Sequence, residues 1–242
     1  MGHVIEIKNL VVNYHHRRAL DGLSLNVRQG EIFGFLGPNG AGKTTTIKTL
    51  LGLISPNEGE VLLHGSLPSQ VGSRRKVGFL PEEATYYRFL SPAEILSFYG
   101  ETFGIPKPIL KDRIQTLLSL VGLSDVRNRP IHTFSKGMTQ KVSLAQSLIN
   151  EPETLILDEP TSGLDPLARM DLRNILMDLK KKGCTIFFSS HELSEVELVC
   201  DSIAIIKSGR LVKSGLIREV IGTQKDLHLE RFFLETIQGE KN

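Results

Sequence analysis

The sequence predicts an α/β fold with a mainly parallel core sheet, a small antiparallel β subdomain and a helical insert. Three observations carry that prediction. Short apolar runs that read as buried strands alternate with segments of helical spacing along much of the chain. Two early runs, Val4 to Val12 and Leu20 to Val27, instead alternate apolar and polar residues, as half-exposed strands do. Residues 37 to 44 read Gly, Pro, Asn, Gly, Ala, Gly, Lys, Thr, a complete phosphate-binding loop that joins a strand to a helix.

The elements follow in chain order. Asp21-Gly22, within the second alternating run, and Gln29-Gly30, after it, are turn signals. Glu31 to Leu36 is a buried strand, and Thr44 to Leu51 is a helix whose N-terminus faces the loop. Val61 to Gly65 is a short strand that joins the first two in the antiparallel sheet. Val77 to Leu80 is a buried strand ended by Pro81. From about Ala84 to Asn150 the texture is helical, with helices over Pro92 to Tyr99, Leu110 to Val121 and Lys141 to Leu148. Buried strands return at Thr154 to Asp158 and Thr185 to Ser190. Between them lies a helix, Leu167 to Lys182, stopped by a lysine run and Gly183. Ser202 to Ile206 and Arg210 to Val212 form a closing hairpin around Lys207 to Gly209. From Gly222 a weakly amphipathic helix leads into a charged tail.

Composition narrows the function classes. The chain has 242 residues, of which 40% are apolar, enough for a sizeable core in one large domain. A net charge of +2 gives no nucleic-acid footprint, and none is expected as a partner. Cys184 and Cys200 lack metal-ligand spacing and read as buried, reduced thiols of a cytosolic protein. The first eight residues read as a strand rather than a signal peptide. No apolar run approaches the ~20 residues that span a bilayer, so any work at a membrane is expected to pass through a docked partner.

The loop dictates chemistry. Gly37, Gly40 and Gly42 let the backbone curl so that N–H groups point at a triphosphate. Pro38, Asn39 and Ala41 complete the cradle, Lys43 reaches the β- and γ-phosphates, and the Thr44 hydroxyl takes a place on a magnesium ion. Asp158 and Glu159 end an apolar strand, where a doubly wound sheet binds ligands. Beside a phosphate loop they read as a metal-binding acid followed by a general base that polarises water. Ser135 and Gly137 sit at a helix N-terminus, a second anion site, although Ser135 by itself is also a good N-cap. His191, again after a strand end, can bond a γ-phosphate or position the water. Tyr14, in a polar loop, either stacks on adenine or packs on its neighbours.

In order, these motifs resemble those of the ATP-binding subunit of an ABC transporter, over nearly the whole chain. Tyr14 matches the adenine-stacking aromatic, Gly37 to Thr45 the Walker A loop, and Glu82 the glutamine-loop position. Ser135 to Met138 match the signature, Leu155 to Glu159 Walker B, Ser162 to Asp165 the D-loop, and His191 the switch histidine. The resemblance implies a P-loop NTPase domain over residues 1–220 with a helical subdomain inserted at about 84–150. Residues 221–242 then form a C-terminal helix and tail. It also implies ATP and Mg2+ as cofactors, with Thr44, Asp158 and Glu82 near the metal. The implied partners are a second ATP-binding subunit, with a homodimer favoured, and an integral-membrane permease docked on the helical subdomain. The implied location is the cytoplasmic face of the membrane.

Two departures stand out. The signature reads Phe134, Ser135, Lys136, Gly137, Met138 in place of Leu-Ser-Gly-Gly-Gln, which adds a cation at Lys136. Glu82 stands where glutamine is usual and adds negative charge beside Glu159. Both variants resemble exporter ATPases that pair with separately encoded permeases. Two rival functions fit the sequence less well. A soluble ABC ATPase acting on ribosomes or DNA usually carries two cassettes or long coiled coils, absent from this sequence. A small-molecule kinase would leave Ser135, Gly137 and His191 unexplained.

Overall fold

The computed structural model describes residues 2–14, 17–221, 229–230 and 232–233. Its centre is a six-stranded sheet of β3 (Ile32–Leu36), β5 (Val77–Leu80), β6 (Thr154–Asp158), β7 (Thr185–Ser190), β8 (Ser202–Lys207) and β9 (Arg210–Leu216). The order is β5-β6-β7-β3-β8-β9. All neighbours pair in parallel except β9, which turns back on β8 as a hairpin. A second sheet, β2-β1-β4, is antiparallel and comprises β1 (His3–Tyr14), β2 (Arg17–Arg28) and β4 (Glu58–Leu63).

Each parallel strand is apolar on both faces because both faces are covered. Phe33, Phe35, Ile156, Phe187, Ala204 and Ile206 point toward the antiparallel sheet and α1 (Lys43–Leu50). Ile32, Leu36, Leu155, Leu157, Ile186, Phe188, Ile203 and Ile205 point the other way. There they meet α3 (Pro92–Thr102), α4 (Lys107–Leu120), α5 (Lys136–Ser147), α6 (Pro166–Lys181) and α7 (Leu193–Val199). Phe33 and Phe35 flank Phe187 with ring centroids 5.7 and 5.3 Å away. Such rings bury enough apolar area to contribute about 1.5–3 kcal/mol each.

The helices carry their own signals. α3 opens with a capping box, in which the Ser91 hydroxyl accepts from the Glu94 N–H and the Glu94 carboxylate accepts from the Ser91 N–H at 2.8 Å. Those bonds, first the Ser91 hydroxyl and then its N–H, hold the Glu94 carboxyl below its ordinary value. Asp165 caps α6 by accepting from the Ala168 N–H at 2.9 Å, with Pro166 at the first helical position.

Several boundaries depart from the sequence reading. β1 does not alternate cleanly: Lys8 and Asn9 both face outward and Leu10 to Val12 are all buried, because register shifts interrupt its pairing with β2. α5 begins at Lys136, directly after its cap Ser135, so Gly137 lies inside the first turn. α4 starts earlier than read, behind Pro106. A four-residue helix α2 (Val71–Arg74) and α7 had no counterpart in that reading. Between residues 92 and 147 the regular structure is entirely helical. After α8 (Ile217–Ile221), most of the expected C-terminal helix and tail lies outside the described residues.

Both cysteines are buried free thiols. Burial pushes Cys184 up to about 11 and Cys200 well above its ordinary value. Neither is a nucleophile in this setting.

A half-buried histidine links the two sheets. His64, just past β4, shares a 3.0 Å hydrogen bond through Nε2 with the hydroxyl of Thr154, the first residue of β6. Its Nδ1 lies 3.7 Å from Glu153, which Lys76 holds at 2.9 Å. Burial lowers the His64 pKa from 6.5; Glu153 opposes that shift and Lys76 adds to it. The unfolded chain therefore takes up this proton first as pH falls. The contribution of neutral His64 to stability is whole above its unfolded value and drains away below it. Urea unfolding at about pH 7.5 and about pH 5.5 is expected to show a loss of stability on acidification that shrinks in His64→Asn. Asparagine suits the left-handed backbone there, φ 50°. An equal loss in both proteins would remove His64 as its source.

Candidate nucleotide site

The chain leaves β3 toward α1 on one face of the sheet and leaves β7 toward α7 on the other. The carboxyl ends of these paired strands therefore flank a topological switch point, where α/β sheets bind ligands. A cleft of about 910 Å³ opens there.

The loop after β3 is shaped by close approaches. Gly42, the N-cap of α1, has φ 115°, which only glycine adopts freely. At Gly37 a Cβ would stand 2.5 Å from the Ile206 carbonyl of β8, so the loop lies flat on that strand. The Ala41 N–H donates to the Pro38 carbonyl at 3.1 Å, and the Gly209 N–H donates to the Ala41 carbonyl at 2.8 Å. Pro38, Asn39, Gly40, Gly42, Lys43, Thr44 and Thr45 line the cleft. Gly37 and Ala41 are buried beneath it.

Lys43 is 7% exposed, and its ammonium donates to the Gly37 carbonyl at 2.6 Å. The same ammonium lies 3.2 Å from Glu159 Oε1. Glu159 Oε2 meets His191 twice, accepting from the backbone N–H at 3.2 Å and lying 2.8 Å from Nδ1. Residues far apart in sequence thus converge on one carboxylate. Glu159 has φ 49°, a conformation that costs a non-glycine residue on the order of 1–3 kcal/mol and that recurs at functional sites.

Ser189 holds the two acids. Its hydroxyl donates to Asp158 Oδ1 at 2.6 Å and accepts from the Glu159 N–H at 3.0 Å. Asp158 is 4% exposed, is not among the residues lining the cleft, and engages Ser189 through Oδ1. The exposed Glu82 lines the cleft from the segment after β5. The donor set fits magnesium carried by a nucleotide, which needs one or two carboxylates, phosphate oxygens and water. Among the described residues no three His, Cys, Asp or Glu side chains form an all-protein cage.

Tyr14, at the end of β1, is 42% exposed and lines the same cleft. Across the strand pair it faces Arg17. Ser135 and Gly137 are not brought to this cleft. The Ser135 hydroxyl accepts from the Met138 N–H at 3.2 Å, and Gly137 borders a small apolar hollow with Leu164 and Ala168. The Lys136 side chain runs across the D-loop turn at Gly163 of the same chain. The Arg129 guanidinium sits 5.0 Å above the Phe134 ring. Asp165, at the end of the D-loop, serves as a helix cap.

Sequence reasoning missed Ser189, Arg17 and Arg18. Two serines at the fully buried tip of β7 were the available signal for the first. For the arginines it was their nearness to Tyr14. Arg18 donates to Asp21 at 2.7 Å, and Arg210 bonds the other oxygen of Asp21. Those hydrogen bonds, Arg18 first, hold the Asp21 carboxyl below its ordinary value.

The family model described as ABC transporter matches residues 20–162. An uncharacterized ABC transporter ATP-binding protein of Nostoc sp. is 49% identical over 88% of this chain, which spans only 64% of that relative's length. A lantibiotic transport ATP-binding protein of Streptococcus pyogenes is 38% identical over 98% of this chain and 99% of its own length. A solved ATP-binding subunit of an ABC transporter superposes with a TM-score of 0.87, at 32% identity, over 97% of this chain and 99% of that one. By sequence, fold and motif order alike, this chain belongs to the ATP-binding proteins of the ABC transporter family.

Proposed function

We propose that the chain is the ATP-hydrolysing motor subunit of an exporter, dimerising on ATP to drive a separate membrane permease. The observation that carries this reading is the convergence of Lys43, Glu159 and His191 at 3.2 and 2.8 Å beneath a glycine-rich loop. A triphosphate seated on that loop takes the Lys43 ammonium from Glu159 and accepts the loop's N–H groups. The released Glu159 carboxylate then accepts a proton from the attacking water, and His191 fixes its orientation. Thr44 and Asp158 would hold a magnesium ion, with Glu82 near it, and a bound ion would supply neutralising charge to the phosphates.

Ser135 and Gly137 serve the nucleotide of a partner chain, since they do not line the cleft of their own. A homodimer is the simplest such assembly. Residues 1–220 act as one ATPase domain, with 84–150 as the inserted helical part. The permease docks beside Glu82 to Arg88, where Tyr87 and Phe89 expose stacked rings at 74% and 70%. No described helix is long and apolar enough to cross a membrane. Docked on that permease, the chain works at the cytoplasmic face of the membrane. Family membership favours transport over action on ribosomes or DNA.

Titration with magnesium-ATP tests the nucleotide reading. Tyr14→Ala is expected to weaken binding by roughly 1–3 kcal/mol, by analogy with base–aromatic stacking, and Tyr14→Phe to be nearly silent. Wild-type protein that binds no ATP would sink the proposed function. An unchanged affinity in Tyr14→Ala would return Tyr14 to a packing role.

A further inference from the structure

Among the described residues three cations, Lys43, Arg17 and Arg18, border the nucleotide cleft, and two are committed. Lys43 is held by Glu159 at 3.2 Å, and Arg18 is held by Asp21 at 2.7 Å. Arg17 also lines the cleft and has no ion pair or hydrogen bond through its side chain among the described residues. It is the first residue of β2, paired across the ladder with Tyr14. Its Nη2 lies 3.7 Å from where a Cβ of Gly40 would stand, so the guanidinium overhangs the middle of the phosphate loop.

Charge argues that this position is used. The cleft carries the Glu82 carboxylate as well as Glu159, and both repel a triphosphate. A partly water-excluded cleft strengthens that repulsion. A guanidinium offers several donors in a planar fork that matches phosphate oxygens, and it stays charged at any working pH.

We infer that Arg17 is a nucleotide-contacting residue whose guanidinium binds the phosphate chain over Gly40, offsetting the charge that Glu82 brings. The inference rests on reading the cleft as the ATP site. Arg18, next in sequence, differs in role: its bond to Asp21 anchors the strand.

The test is isothermal titration of the purified chain with magnesium-ADP and with a non-hydrolysable magnesium-ATP analogue. Wild type, Arg17→Lys, Arg17→Ala and Arg17→Glu are compared at low and high salt, and thermal melting confirms that each is folded. Affinity is expected to fall in the order Arg, Lys, Ala, Glu. The alanine variant should lose on the order of 10-fold and the glutamate variant on the order of 100-fold, with the loss shrinking at high salt. Binding by folded Arg17→Glu within about two-fold of wild type would overturn the inference. So would equal losses in all three variants that ignore salt, which mark a packing role. Wild-type protein that binds neither nucleotide would instead overturn the ATP-site reading itself.

Discussion

Glu159→Gln is expected to keep ATP binding and lose hydrolysis by on the order of 10²–10⁴-fold. Glutamine preserves the shape of the side chain and, being unbranched at Cβ, adds no new clash at φ 49°. Its amide has no basic carboxylate oxygen to take the proton from water. The Lys43 contact at 3.2 Å loses its ionic character, which leaves the ammonium freer for phosphate. Binding should therefore be equal or tighter while turnover collapses. A steady-state phosphate-release assay beside a nucleotide titration separates the two. Turnover within a few-fold of wild type would assign the base to another group.

The geometry behind that expectation was only partly legible in the sequence. The loop over 37–44 was legible because glycine spacing, lysine and threonine each have a physical reason there. The acids were legible because an apolar strand ends on them. Ser189 was not, since its role depends on β6 and β7 being adjacent with Asp158 opposite Ser189. That pairing joins residues about thirty positions apart, and no local pattern reports it. α7 escaped because seven residues are too few to display a helical period. The clean alternation read for β1 failed where a bulge turns Asn9 to φ 49° and sends two successive side chains outward. Arg17 was hidden for a different reason. An exposed arginine in a polar turn looks solvated until the fold brings Gly40 beneath it.

The signature segment was recognised by its motif, but the fold leaves it away from its own chain's cleft. Ser135 caps α5, and around Gly137 an added Cβ would have no neighbour nearer than 3.7 Å. That openness suits contact with a second molecule. Lys136, lying over Gly163, joins this segment to the turn that follows Glu159 in the same chain. If the site is shared between two chains, the signature that serves one nucleotide is physically tied to the acids that serve the other.

Sharing of the site between two chains is the central claim, and the Ser135→Arg variant probes it most directly. In a Glu159→Gln background, magnesium-ATP should convert monomers to dimers, read by size-exclusion chromatography with light scattering. Adding Ser135→Arg puts bulk on the anion site and removes the hydroxyl cap, which costs about 1 kcal/mol and leaves the domain folded. The account predicts that this chain stays monomeric with ATP while its nucleotide affinity is unchanged. If Ser135→Arg instead abolishes nucleotide binding in a chain that remains folded and monomeric, the signature acts on its own chain's ATP and the shared site is contradicted.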